Sequence, residues 1–107
     1  MSRRGPKSPR FDASDPLLDA PVAAELDLHR LTAAQVESVV RGFLETWHRR
    51  GPGSILRIIT GKGRNSAAGP VLLPRVRTLL KGPLARYVAD WRLADDGGSF
   101  VVRLRTV

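Results

Sequence analysis

Between Glu25 and Ile59 the spacing of apolar residues changes twice, and that change constrains the fold more than any other feature of this sequence. Glu25-Leu26-Asp27-Leu28-His29 alternates, with Leu26 and Leu28 on one side and Glu25, Asp27 and His29 on the other. The pattern predicts a strand with one buried face. Thr32-Ala33-Ala34-Gln35 then fits a capping box, in which the Thr32 hydroxyl and the Gln35 side chain satisfy the exposed amides of a helix start. Val36, Val40, Phe43, Leu44 and Trp47 follow at offsets of 0, 4, 7, 8 and 11, a single helical stripe. Gly51-Pro52-Gly53 ends it. Ile55-Leu56-Arg57-Ile58-Ile59 is nearly continuous in apolar residues, as an interior strand requires. A strand-helix-strand unit of this kind crosses over right-handed, which makes the two strands parallel and points their carboxyl ends the same way.

The remainder extends the unit. Leu72, Leu73, Val76, Leu79 and Leu80 mark a second helix, with Pro74 tolerable in its first turn and Lys81-Gly82-Pro83 as its stop. Val88, Asp90 and Arg92 alternate with Ala89, Trp91 and Leu93 in a third strand. Asp95-Asp96-Gly97-Gly98 is a turn into a fourth strand, Phe100 to Arg105, which completes a hairpin. The order β-α-β-α-β-β predicts an α/β fold, a two-layer α/β sandwich. Its sheet is mixed and four-stranded, and both helices lie mainly on one face, because two helices cannot cover both. Residues 1–22, with Arg3, Arg4, Lys7, Arg10 and four prolines, read as a flexible basic N-terminal arm. Residues 23–107 read as one domain.

Charge narrows the class of partner. The 107 residues carry a formal charge of +8, and the pI is about 11.4. Between Glu45 and Asp90 no acidic residue offsets Arg49, Arg50, Arg57, Lys62, Arg64, Arg75, Arg77, Lys81 and Arg86. Such a run favours polyanions, meaning nucleic acid or a nucleoprotein, over a merely solvated basic surface. The absence of cysteine removes disulfide and thiolate-zinc chemistry. No apolar run approaches the roughly 18 residues of a membrane span, and no signal-peptide pattern opens the chain. A cytoplasmic monomer with no membrane partner is the expectation.

Two segments carry candidate chemistry. Asp27 and His29 stand two apart on a strand and so emerge on one face at its end. A carboxylate beside a histidine can hold its tautomer, and the pair suits proton transfer in phosphodiester cleavage. On residue types alone a blander alternative stays open, with Asp27 accepting turn amides and His29 closing the strand. Thr60-Gly61-Lys62-Gly63-Arg64 follows the second strand; its glycines allow a backbone anion nest, Lys62 adds a point charge and Arg64 a planar fork. It is not a nucleotide P-loop, since Gly63 follows Lys62 where Ser or Thr would open a helix. Beyond it a long loop runs to Gly69 and Pro70. Arg30 and Arg75 join Gly61, Lys62, Gly63 and Arg64 as candidate nucleic-acid contacts. His48 reads as a boundary residue, and Trp47 and Trp91 as core or sheet-face residues. No metal site has defensible ligand spacing; a transient Mg²⁺ or Mn²⁺ held mainly by phosphate and Asp27 stays open.

Leu26-Asp27-Leu28-His29 is similar to the LDLHG signature of Smr (small MutS-related) domains, and Thr60-Gly61-Lys62-Gly63 resembles their HGKG motif. The resemblance spans Ala23 to Arg105 and includes the helix and strand between the motifs. It implies a mixed-sheet α/β sandwich that binds nucleic acid and, in several members, acts as an endonuclease; members include stand-alone bacterial proteins and proteins acting on messenger RNA. By position, Asp27 and His29 match the acidic and histidine motif residues, and Gly61, Lys62 and Gly63 the phosphate-facing loop. Arg30 replaces the signature's Gly and Thr60 the second motif's His. The expected function is an endonuclease of DNA or RNA in which His29 moves the proton, Asp27 orients it, and Lys62 with the Gly61 and Gly63 amides steadies phosphate. The alternatives are an adaptor for RNA, a DNA junction or the ribosome that does not cleave, and a protein-interaction domain.

Overall fold

The computed structural model describes residues 16–61, 72–94 and 96–106. A short helix α1 (Pro16–Asp19) precedes strand β1 (Ala24–Asp27), helix α2 (Ala33–Arg50) and strand β2 (Ile55–Ile59). Helix α3 (Leu72–Lys81), a 3-10 turn (Ala85–Tyr87) and the hairpin strands β3 (Val88–Leu93) and β4 (Ser99–Leu104) follow. The α2 start is fixed as the sequence predicts on one side of the box: the Thr32 amide donates to Gln35 Oε1 at 2.9 Å. At the end of α3 the Gly82 amide closes the last turn on the Thr78 carbonyl, 3.0 Å away.

The four strands form one mixed sheet in the order β1-β2-β4-β3. β1 and β2 are parallel, with Asp27 opposite Ile59, and β4 is antiparallel to both of its neighbours. Leu56, Ile58, Phe100, Val102 and Leu104 project from one face of the sheet and are buried against Val36, Val40 and Leu44 of α2 and Leu72, Val76, Leu79 and Leu80 of α3. Both long helices therefore share one face, and the architecture is the α/β sandwich that the element order predicts.

Three features depart from the sequence reading. The arm expected to run through Val22 is packed from Pro16 onward: Leu17, only 2% exposed, joins Ile55 and Val101 on the sheet face away from α2 and α3. Leu18, Ala20 and Val22 flank that cluster, so this apolar stretch closes part of the second face. Residues 1–15, including the basic half of the arm, lie outside the described residues. In β3 the register shifts between Val88 and Asp90. Val88 pairs with Leu104 and Trp91 with Val102, so Val88 and Trp91 both reach the core side. The extra residue of a bulge reverses the alternation, and Val88 does not share a face with Asp90 and Arg92. Finally, β1 ends at Asp27 rather than His29, although the Leu28 amide still donates to the Ile59 carbonyl at 2.7 Å.

Candidate functional site

Parallel pairing of β1 with β2 brings the segment after Asp27 beside the segment after Ile59. Between them sits Leu28, fully buried, whose carbonyl accepts the Leu31 amide at 2.9 Å. That anchor turns Asp27 and His29 outward together. Asp27 Oδ1 accepts two hydrogen bonds from His29, from its backbone amide at 3.0 Å and from ring Nδ1 at 2.5 Å. The blander and the functional readings of the pair thus coincide, since one carboxylate oxygen caps the turn and also holds the imidazole.

The hydrogen-bond network assigns the ring a tautomer. A proton on Nδ1 faces Asp27, and Arg30 Nε donates to Nε2 at 3.4 Å, which requires a lone pair there. The pair is open to solvent, with side-chain exposures of 39% for His29 and 50% for Asp27. Nε2 is thus engaged by Arg30 while the carboxylate holds the opposite edge of the ring.

The Asp27 carboxyl lies below its ordinary value of 3.8, first because of the bond from the His29 ring and then because of the bond from the His29 amide. A depressed folded-state value stabilises the fold above the unfolded value, and that stabilisation is lost as pH falls through the folded one. Carbon-detected NMR titration of the Asp27 carboxyl should give a midpoint below 3.8. In His29→Ala the ring bond is gone and the amide bond remains, so the midpoint should move back part of the way. An unchanged midpoint would show that the ring contact contributes nothing in solution.

The second motif reaches the same place through its backbone. Gly61 has φ +76°, and a Cβ built on it would lie 3.4 Å from His29 Cβ. The left-handed backbone favours glycine, because it strains an L side chain, while the Cβ position is in ordinary contact with the histidine. Its amide is not available to phosphate, because Gly61 and Thr60 both donate to the Gly98 carbonyl at 2.9 Å. The Gly61 N–H, expected to face phosphate, is thus engaged by the hairpin tip, and Gly61 packs against His29. Lys62, Gly63 and Arg64 lie outside the described residues. Arg75 is in the first turn of α3 and is engaged by Glu37 of α2, Nη2 to Oε1 at 2.9 Å, with Arg41 on the other oxygen at 2.5 Å. It bridges the two helices rather than standing as an unpaired phosphate contact.

Thr60 is 1% exposed, and its hydroxyl is directed at the Gly61 carbonyl, 3.0 Å away, and the Gly98 carbonyl, 3.2 Å away. The residue at the histidine position of the second motif is therefore a structural clasp between β2 and the hairpin tip. Thr60→Val keeps the shape and removes those bonds, and should cost about 0.5–1.5 kcal/mol in a urea unfolding experiment. The Gly98 carbonyl was missed by sequence reasoning. Asp96 Oδ1 holds the tip by accepting the Gly98 amide at 2.8 Å; the turn is legible in the sequence, but its contact with Thr60, 38 residues away, is not.

Among the described residues no three side chains of His, Asp or Glu gather as a metal site. His48 lies near the far end of α2, edge-on to Tyr87 with centroids 5.7 Å apart. Trp91 packs edge-on to Phe100 at 5.5 Å, as a core-side residue. No helix among the described residues is long and apolar enough to cross a membrane. No curated protein and no solved structure matches the chain. A family model described as the Smr domain matches residues 26–105.

Proposed function

The chain belongs to the Smr domain family, a nucleic-acid-binding family associated with nuclease activity, and on that premise we propose that it is an endonuclease of the phosphodiester backbone. The observation that carries the proposal is the Asp27–His29 pair, with its 2.5 Å contact between Oδ1 and Nδ1 on a ring that is partly open to solvent. Once Arg30 turns from Nε2 to a phosphate oxygen, Nε2 takes the proton as the attacking oxygen bonds to phosphorus and returns it to the leaving oxygen as the scissile P–O bond breaks, while Asp27 holds the opposite edge of the ring. Arg30, already beside Nε2, is placed to hold a phosphate oxygen next to it. Lys62 and Arg64, close after Gly61 in the sequence, are the further cations proposed for that phosphate.

A second reading has an observation of its own. Thr60 is buried and committed to backbone carbonyls, so the site lacks the second histidine of the motif. A domain with this change that binds RNA, DNA or the ribosome without cutting is an adaptor. The discriminating experiment incubates the purified chain with end-labelled RNA and DNA, with and without EDTA. Cleavage products support the endonuclease, and the EDTA arm decides whether Mg²⁺ or Mn²⁺ takes part. Binding without products selects the adaptor. Absence of binding to either polymer at low salt would refute both, because neutralised phosphates should make binding strongest there.

A further inference from the structure

His29 lies just before the start of α2, with Arg30 against its ring. At the opposite end of the domain, where α2 stops, the Arg105 amide donates to the Tyr87 carbonyl at 2.9 Å and Arg105 Nε to the Ala85 carbonyl at 3.3 Å. The Gly53 amide donates to the Arg105 carbonyl at 3.3 Å. These bonds draw the end of α2, the 3-10 turn and the end of β4 into one surface. Arg49 and Arg50 stand in the last turn of α2, with the Arg50 guanidinium 5.2 Å from the Trp47 ring centroid. Arg86 lies over Tyr87 at 4.9 Å. Among the described residues no carboxylate forms an ion pair with Arg49, Arg50, Arg86 or Arg105. Glu45, the nearest acid in sequence, is engaged by the Tyr87 hydroxyl at 2.7 Å.

The face of α2 joining the two ends carries one acid, Glu45, whose carboxylate accepts the Tyr87 hydroxyl. Gln35, Ser38, Gly42, Thr46 and Arg49 recur at offsets of 0, 3, 7, 11 and 14, opposite the buried stripe. Nothing stands within 4 Å of where a Cβ on Gly42 would lie. We propose that the Arg49, Arg50, Arg86 and Arg105 surface is a second phosphate contact, and that a nucleic-acid duplex lies along α2 with one end at His29 and the other at these arginines. The inference rests on the nucleic-acid-binding reading and adds the footprint. The 18 residues of α2 span about 27 Å at 1.5 Å per residue, which is roughly eight base pairs at 3.4 Å each.

The test compares duplexes of 6 and 16 base pairs, in DNA and RNA, for the wild-type chain and for a variant carrying Arg49→Gln, Arg50→Gln, Arg86→Gln and Arg105→Gln. Wild type should bind the longer duplex more tightly than added site number explains, and the variant should lose that gain. Loss of four phosphate contacts should flatten the plot of log affinity against log salt by about 3 to 4 for DNA. Preference for DNA or RNA in the long-duplex arm identifies the polymer. A variant that melts like wild type but binds long duplexes with the same affinity and slope overturns the inference while leaving the binding reading intact. Wild type that binds neither length instead removes the reading on which it rests. If the variant is unfolded, amide shifts of the wild-type chain on adding the long duplex decide: changes across Arg49–Gly53 and Ala85–Tyr87 support the footprint, and silence there refutes it.

Discussion

His29→Ala is expected to lower the rate of phosphodiester cleavage by about 10² to 10⁴-fold, the range supplied by a positioned proton-transfer group, and to leave nucleic-acid affinity unchanged. The side chain is half exposed and lies outside the β1 ladder. Its removal should therefore change stability by no more than about 0.5 kcal/mol, and a lost rate cannot be ascribed to lost folding. Binding should survive because the phosphate contacts proposed above are cations, Arg30 among them, and His29 is not one of them. Asp27→Asn should also slow cleavage, since the amide no longer holds Nδ1–H as a charged acceptor. Single-turnover rates for the three proteins check the assignment, and His29→Ala cutting at the wild-type rate would sink it.

Leu28→Ala should be the most damaging substitution next to the site. Leu28 is fully buried among the α2 and sheet residues of the core, and truncation of such a leucine costs about 2–5 kcal/mol in lost transfer energy and residual cavity. For a domain of this size that lowers Tm by on the order of 10 °C or more. Leu28 is also the residue whose burial turns its two neighbours outward, so the Asp27–His29 contact should loosen in the same variant. Leu93→Ala is the control: Leu93 is 36% exposed on edge strand β3, and its loss should stay within about 0.5 kcal/mol. Thermal melts of the two proteins side by side suffice. Equal melting temperatures would show that Leu28 is not the anchor described.

Some of the site was legible in the chain itself. Period-2 spacing put Asp27 and His29 on one side of a strand, and two parallel strands had to end together, so the two motifs were expected to meet. The departures arise where a residue's role depends on a partner remote in sequence. Thr60 read as a motif residue, yet its partner is a carbonyl in the hairpin tip. The Gly61 amide read as an anion donor, yet the same carbonyl takes it. Arg75 read as a phosphate contact, yet Glu37 on the neighbouring helix faces it. Leu17 read as part of an arm because four residues of helix carry too little periodicity to register, whereas an uncovered Ile55 and Val101 make its burial favourable.

The sequence by itself determined the order of elements and the parallel β1–β2 unit, because these follow from spacing along one strand or helix, and it placed Asp27 next to His29 without the turn that joins them. Only the tertiary structure decided that Gly61 packs against the histidine, that Thr60 is a clasp, and that arginines gather at the end of α2 away from it. Those outcomes depend on which groups are brought within hydrogen-bond reach across the sheet. No local pattern encodes that distance.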